Sequence, residues 1–347
     1  MKRVIVAVLL LVLGCTEKAT EKPVFEDQMF VMGTMVSVSI YGESETKSRA
    51  VFDQLSAKFQ TMHHAWSPHE NGALYGLNEL LPTQTPVPID STLADMIETS
   101  SQLSSQSEGM FNPAMGQLIA LWGFSQDGLS KGPPPPRAQI NALLLSNPQM
   151  SDLTLTDSRV LSRNPAVALN FGAFAKGYAV DSGIEYLKSA GIKNAIINAG
   201  GDLRVLGSKG AKPWLIGIRH PREAGVLAGI EVKDNESVFT SGDYERYYDY
   251  QGKRYHHIID PRTGFPADET ISVTVVNENA ALADAAATAL FVAGPTDWER
   301  IAKKMLVDQV MLIDKKSKIY LTPKIYKRLI FTHPEALDMT ISTEFRE

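Results

Sequence analysis

Residues 271–292 read ISVTVVNENAALADAAATALFV. Ile271–Val276 reads as a strand and Ala281–Val292 as a helix, joined by a short polar link. Further strands flank this unit. Trp214–Ile218, Ala228–Val232, Ser237–Thr240 and Tyr255–Ile259 precede it, while Val310–Ile313 and Ile319–Leu321 follow and are expected to close the sheet. Near the start, Phe30–Tyr41 (FVMGTMVSVSIY) alternates Val36, Val38 and Ile40 with Ser37 and Ser39, the period of a half-buried strand. Ala195–Asn198 is another strand, leading to a turn at Gly200 and Gly201. Helical spacing marks Thr46–His64, Ser91–Ser107, Arg137–Leu145 and Ala175–Ala190. Ala65–Asn78 reads as loop and Leu153–Leu169 as a hairpin, and Pro133–Pro136 is a stiff connector. Helices and strands mix without strict alternation, so the fold class is α+β rather than a doubly wound parallel sheet.

The 347 residues suffice for one large domain or two modest ones. Hydrophobic residues make up 44% and charged residues 21%, with a formal net charge of -5. No long basic block interrupts this balance, which excludes nucleic acid as an expected partner. Lys2 and Arg3 precede an apolar stretch, Val4–Leu13, that is too short to span a bilayer. It ends in Val12-Leu13-Gly14-Cys15, and Cys15 is the single cysteine of the chain. That segment is similar to the lipobox of bacterial lipoproteins, in which the cysteine carries the lipid. The expected organisation is a signal peptide over 1–14, a lipidated tether over 15–27, one domain over 28–335 and a tail over 336–347. The mature chain is then expected to be exported and anchored to a membrane facing the periplasm, the inner membrane being favoured over the outer.

Asp284 and Thr288 stand four residues apart in the otherwise apolar run ALADAAATAL. Residues at that spacing share one helix face, so both oxygens project toward the same place. A hard cation such as Mg²⁺ would satisfy them. The plainer alternative puts Asp284 in a first helical turn and lets Thr288 bond back to its carbonyl. Asn170–Asp181 (NFGAFAKGYAVD) offers glycines, Lys176 and a helix start, which together suit a diphosphate, or else form only a capped helix with a surface lysine. Tyr255–Ala267 (YHHIIDPRTGFPA) places His256 and His257 on opposite faces of a strand, so one of them can face a site. Asn198–Gly207 (NAGGDLRVLG) and Ser237–Tyr248 (SVFTSGDYERYY) complete the loops that look built for a site. Ser241 lacks the elbow of a hydrolase nucleophile.

Together these segments resemble the ApbE family of flavin transferases. The resemblance runs in order from Met32-Gly33-Thr34 through Phe111-Asn112-Pro113, Trp122-Gly123-Phe124, Gly172-Ala173, Lys176-Gly177-Tyr178 and Gly200-Gly201-Asp202. It continues with Thr240-Ser241-Gly242, His257–Pro261, Thr263-Gly264 and Ala283-Asp284, and ends at Thr288. It implies a mixed fold of mainly antiparallel sheets with packed helices and an active site in a cleft between subdomains. It also implies Mg²⁺ held by the carbonyl of Ala173 with Asp284 and Thr288. FAD, as substrate, would meet Met32, Met110, Phe111, Asn112, Asn170, Lys176 and Ile259, with Trp66 the candidate to cover the ring. Asn112 and Asn170 depart from the family, which commonly has Asp at both positions.

The implied reaction transfers FMN from FAD to a threonine hydroxyl of an acceptor protein and releases AMP. Lys176 would add positive charge, Asp284 would serve through the metal, and His257 is the candidate proton acceptor. A purely structural role for His257, bonding the Asp260–Gly264 turn, is the competing reading. Expected acceptors are FMN-binding domains of exported or membrane redox proteins, such as sodium-pumping NADH:quinone reductase subunits or related electron-transfer complexes. An FAD pyrophosphatase or a flavin-storing lipoprotein are the alternatives.

Overall fold

The computed structural model describes residues 23–69, 71–124 and 132–344. The proposed leader and Cys15 lie outside the described residues. Among the described residues, nine strands form the main sheet, and their order in space is their order in the chain. They are Val24–Val31, Thr34–Tyr41, Ala195–Ala199, Asp202–Leu206, Ser237–Gly242, Thr270–Asn277, Val310–Asp314, Ile319–Leu321 and Met339–Ile341. Neighbours pair antiparallel except the last two, which are parallel. The fold is α+β, as the mixed sequence pattern indicates.

Each sheet face has its own cover, because the central strands carry apolar residues on both. Val273 and Val275 face the larger core with Leu55, Phe59, Val180, Ile184 and Leu290, contributed by helices Glu45–Trp66, Ala175–Ser189 and Ala280–Lys304. Val276, Leu203 and Val205 face a second core with Trp214 and Ile230. Those two belong to a three-stranded sheet of Trp214–Arg219, Val226–Val232 and Leu329–Phe331. A third cluster joins Trp122, Phe124, Ile140, Tyr248 and Ile259 under the ribbon Tyr247–Tyr250/Lys253–His256.

The helix after Thr270–Asn277 is alanine-rich for a reason that packing makes plain. Ala280, Ala281, Ala283, Ala285, Ala286, Ala287 and Ala289 are all buried, so small side chains let this helix lie close on the sheet and its neighbours. Alanine also has the strongest helix propensity. Gly294, at φ 70° and ψ -179°, breaks the helix, and Pro295 follows it. Glycine tolerates that left-handed φ, and proline begins a new turn without needing its own N–H.

Four expectations are corrected. Ala65–Asn78 is not all loop: the first long helix runs to Trp66, and Ala73–Leu80 forms another around buried Leu74 and Leu77. Tyr255–Ile259 is not a strand of the main sheet, since pairing stops at His256 and the chain then turns through Asp260–Gly264. The first strand starts at Val24, inside the span assigned to the tether, because Phe25 and Met29 alternate inward. Met339–Ile341, assigned to the tail, is the edge strand, so Ile319–Leu321 does not close the sheet.

The small sheet is fastened by one buried ion pair. Arg328 grips both oxygens of Glu236 at 2.8 and 2.6 Å and reaches the Glu231 carbonyl at 2.7 Å. Burial raises the Glu236 pKa, but Arg328 and the Lys233 amide outweigh it, leaving the carboxyl below its ordinary value. Its stabilisation is therefore present above the ordinary glutamate pKa and is lost as pH falls through the depressed one. Arg328→Met should cost roughly 3 kcal/mol at neutral pH by stranding a buried carboxylate. Urea denaturation should show that deficit narrowing below the ordinary glutamate pKa, and a constant deficit would refute the assignment.

Candidate active site

The site forms at the sheet end where the Met32–Gly33 turn meets the Gly200–Gly201 turn. The two turns are tied by the Gly200 N–H, which donates to the Met35 carbonyl at 3.0 Å. Met32 holds φ 54°, a left-handed conformation costing an ordinary residue roughly 1–2 kcal/mol. Past the second turn, Asp202 accepts from the Thr240 N–H at 2.8 Å and pairs with Lys176. Lys176 lies in the first turn of helix Ala175–Ser189.

Two helix starts meet here. The Gly177 N–H donates to Asp284 Oδ2 at 2.9 Å. In a continuing helix that N–H would go to the carbonyl of Ala173, four residues back. Asp284 takes it instead, so the Ala173 carbonyl lacks that donor. Closeness of the helices demands glycine: a Cβ on Gly177 would stand 2.3 Å from the Ala280 carbonyl oxygen. One turn beyond Asp284, the Thr288 hydroxyl lies 3.2 Å from Ser241 Oγ. Thr288 therefore does not simply close on its own helix, and Ser241 has a threonine rather than a histidine as partner.

Charge in this region is unbalanced. Burial pulls the Lys176 pKa down, yet Asp202, Asp284 and Glu245 together lift it above the ordinary lysine value. Asp284 is pushed up chiefly by burial; Lys176 draws it back, while Asp202 adds to the rise. Glu245 is likewise raised, first by desolvation and then by Asp202 and Asp284, against Lys176 and Arg219. The residue as a whole is nonetheless exposed. Three carboxyl groups around one ammonium leave room for further positive charge.

Among the described residues, no three His, Cys, Asp or Glu side chains are placed to hold a metal jointly. The set expected from sequence needs only one acid. A carboxylate, a hydroxyl and a main-chain carbonyl are hard oxygen donors of the type Mg²⁺ takes, usually alongside water. The surplus of carboxyl groups suits that charge.

The other expected residues differ in exposure and partners. Trp66 ends the first long helix, is 7% exposed, and packs edge-on against Tyr178 at 5.5 Å. The side chains of Met110 and Phe111 are buried, and the Phe111 ring packs on Phe174 at 6.3 Å. Any ligand contact from Phe111 therefore falls to its backbone. Asn112 donates to the Pro148 carbonyl at 2.9 Å and accepts from the Ala114 N–H at 3.1 Å. An aspartate could not make the first bond, which accounts for the amide. Asn170 accepts from the Gly172 N–H at 2.9 Å, and its own N–H donates to the Pro113 carbonyl, which joins the two departing positions in one neighbourhood.

Of the histidine pair, His256 is buried, with Nε2 2.7 Å from the Ala267 carbonyl. His257 is half-buried, and its Nδ1 lies 3.3 Å from the Arg246 carbonyl. Desolvation lowers its pKa strongly, and Arg246, His256 and Lys176 lower it further. That shift favours the neutral imidazole in the free protein. Ile259 is buried in the third cluster and bridges Pro266 through its backbone. Sequence reading gave no role to Asp202 or Glu245. A lone Asp after Gly-Gly and a Glu in the turn before a Tyr-rich ribbon carry no spacing signal, and only the fold brings them to Lys176.

A model of the ApbE family matches residues 32–312. An FAD:protein FMN transferase of Rhodobacter capsulatus is 42% identical over 314 residues, covering 88% of this chain and 58% of that protein. One from Klebsiella pneumoniae is 33% identical over 278 residues, covering 78% of this chain and 83% of its own. The crystal structure of the Thermotoga maritima ApbE protein superposes with a TM-score of 0.81 at 30% identity, over 88% of this chain and 99% of that one.

Two glycines separate close approach from mere helix flexibility. Gly177→Ala must part the helices and should destabilise by roughly 1–3 kcal/mol. Gly76, inside helix Ala73–Leu80, has nothing within 4 Å of a built Cβ. Gly76→Ala should instead stabilise by roughly 0.5–1 kcal/mol. Urea denaturation of both variants checks the contrast, and equal effects would contradict it.

Proposed function

The chain belongs to the ApbE family, and from that premise we propose that it transfers the FMN moiety of FAD to a threonine hydroxyl of a second protein, releasing AMP, with Mg²⁺ as cofactor. The observation that carries this reading is the crowding of Asp202, Asp284 and Glu245 about Lys176 beside two helix starts. Such a place binds a diphosphate only with more positive charge than Lys176 supplies. Mg²⁺ held by Asp284, Thr288 and the Ala173 carbonyl would neutralise charge on the pyrophosphate.

The protein's own groups account for the remaining work. Lys176, held in place by Asp202, offers its ammonium to phosphate oxygens. The acceptor oxygen bonds to the FMN-side phosphorus as the bond from that phosphorus to the bridging oxygen breaks, and AMP departs with that oxygen. The hydroxyl proton needs an acceptor, and neutral His257 can take it. Bound pyrophosphate brings negative charge toward His257 and raises its pKa, which strengthens it as a base when substrate is present.

The proposal extends to location and partners. Cys15 is the lipidation site, the chain is exported, and it faces the periplasm from a membrane. Nine residue steps separate Cys15 from Val24. They span at most about 32 Å, so the domain works close to the lipid surface. Membrane redox proteins with FMN-binding domains, including sodium-pumping NADH:quinone reductase subunits and related complexes, are acceptors that such a short tether can reach.

Incubation with FAD, Mg²⁺ and a candidate acceptor should raise the acceptor mass by FMN less water. Asp284→Ala should reduce that product more than 100-fold at limiting Mg²⁺. Free FMN with unmodified acceptor would point to a pyrophosphatase, and tightly bound FAD with no AMP to a storage protein. A separate check concerns His257. Because its pKa is depressed, its imidazole resonances should show no titration between about pH 5 and 8 without FAD, and an inflection near the ordinary histidine value would sink the assignment.

A further inference from the structure

Asp181 is not among the groups that would touch FAD or the cation, yet it occupies a decisive place. It lies five residues after Lys176 on the same helix. Its Oδ1 accepts from the Ala280 N–H at 3.0 Å and from Arg204 Nη1 at 2.5 Å, and its Oδ2 accepts from the Ala281 N–H at 3.0 Å. Asn279, the N-cap, takes the Leu282 N–H at 2.7 Å. The first three amides of the helix that carries Asp284 and Thr288 are thus satisfied, two of them by a side chain of another helix.

The exchange is reciprocal. Helix Ala175–Ser189 gives the Asp181 carboxylate to the start of helix Ala280–Lys304, which returns the Asp284 carboxylate to the Gly177 N–H. A second register joins the same helix to the sheet. Strand Asp202–Leu206 presents Asp202 to Lys176 and Arg204 to Asp181. Two strand residues advance about 6.7 Å and five helix residues about 7.5 Å, so both pairs form together. Slipping the helix by one turn would break both at once.

We propose that Asp181, held by Arg204, is a positioning residue that sets the helix bearing Asp284 and Thr288 against the loop bearing Ala173, and thereby sets the affinity of the site for its cation. The inference rests on the cation reading given above. Asp181→Asn keeps the size of the side chain but replaces one acceptor oxygen with a donor, which must face an amide or the guanidinium. The two helices then lose a shared contact without losing any group that would ligate.

The test is Mn²⁺ titration followed by electron paramagnetic resonance, on the full chain with FAD present. Alongside it, FAD affinity in chelator is read from flavin fluorescence. Asp181→Asn should bind Mn²⁺ at least tenfold more weakly, with metal-free FAD affinity within twofold of wild type. Ile325→Ala, a cavity variant in the second core, serves as a control for lost stability and should leave Mn²⁺ affinity within twofold. Wild type that takes no Mn²⁺ overturns the cation reading itself. Wild type that binds beside an Asp181→Asn that binds equally well overturns only the positioning role. Equal weakening in Ile325→Ala, or a parallel loss of metal-free FAD binding, also overturns it. Should Asp181→Asn not fold, Arg204→Gln decides: about threefold weaker Mn²⁺ binding is expected, and unchanged binding refutes the proposal.

Discussion

Two carboxylates, half-buried Asp181 and buried Asp284, each accept from amides at the start of the other's helix, and most of the site follows from that exchange. A buried carboxylate without donors costs several kcal/mol, and so does a buried helix amide without an acceptor. Pairing them across two helices removes both costs at once. It also makes the relative placement of the helices a condition of stability, so the donors at the site arrive already oriented. Gly177 is the steric counterpart, since any side chain there would drive the helices apart.

The sheet explains why this exchange occurs at one end. Its strands follow chain order, so turns between successive strands gather at two edges. The Met32–Gly33 turn, the Gly200–Gly201 turn and the end of Ser237–Gly242 share one of them. Long insertions between strands supply the helices and the aromatic lobe around Trp122, whose indole N–H donates to the Gly264 carbonyl at 2.8 Å. The Asp260–Gly264 turn is thereby tied to that lobe, and His257 leads into it.

Much of this was legible before the fold was known, for reasons that differ by element. The period of Val36, Val38 and Ile40 and the apolar run around Asp284 are local signals, and both elements form where expected. Ala73–Leu80 was hidden by Gly72 and Gly76, whose turn-like look conceals a short helix held by Leu74 and Leu77. Met339–Ile341 could not be read, because three residues have no period and depend wholly on their partner strand. The same holds for chemistry. Asp284 with Thr288 is visible through i,i+4 spacing, whereas Asp202, Glu245 and Asp181 meet Lys176, Asp284 or Arg204 only through long-range packing. Resemblance also raised doubt over Asn112, and its bond to the Pro148 carbonyl supplies the local reason for an amide.

The electrostatic arrangement bears directly on the proposed reaction. FAD would bring a doubly charged pyrophosphate to a place where carboxyl groups already outnumber the lysine. Binding there through Lys176 alone would set phosphate oxygens near Asp284 and Glu245, and like charges a few ångströms apart repel by several kcal/mol at low effective dielectric. A site with fewer acids would hold the dinucleotide more readily but would not hold a divalent ion. On the proposed reading, nucleotide and cation bind together, each supplying the charge that the other lacks. On that reading FAD alone would bind weakly, and binding of either partner would favour the other.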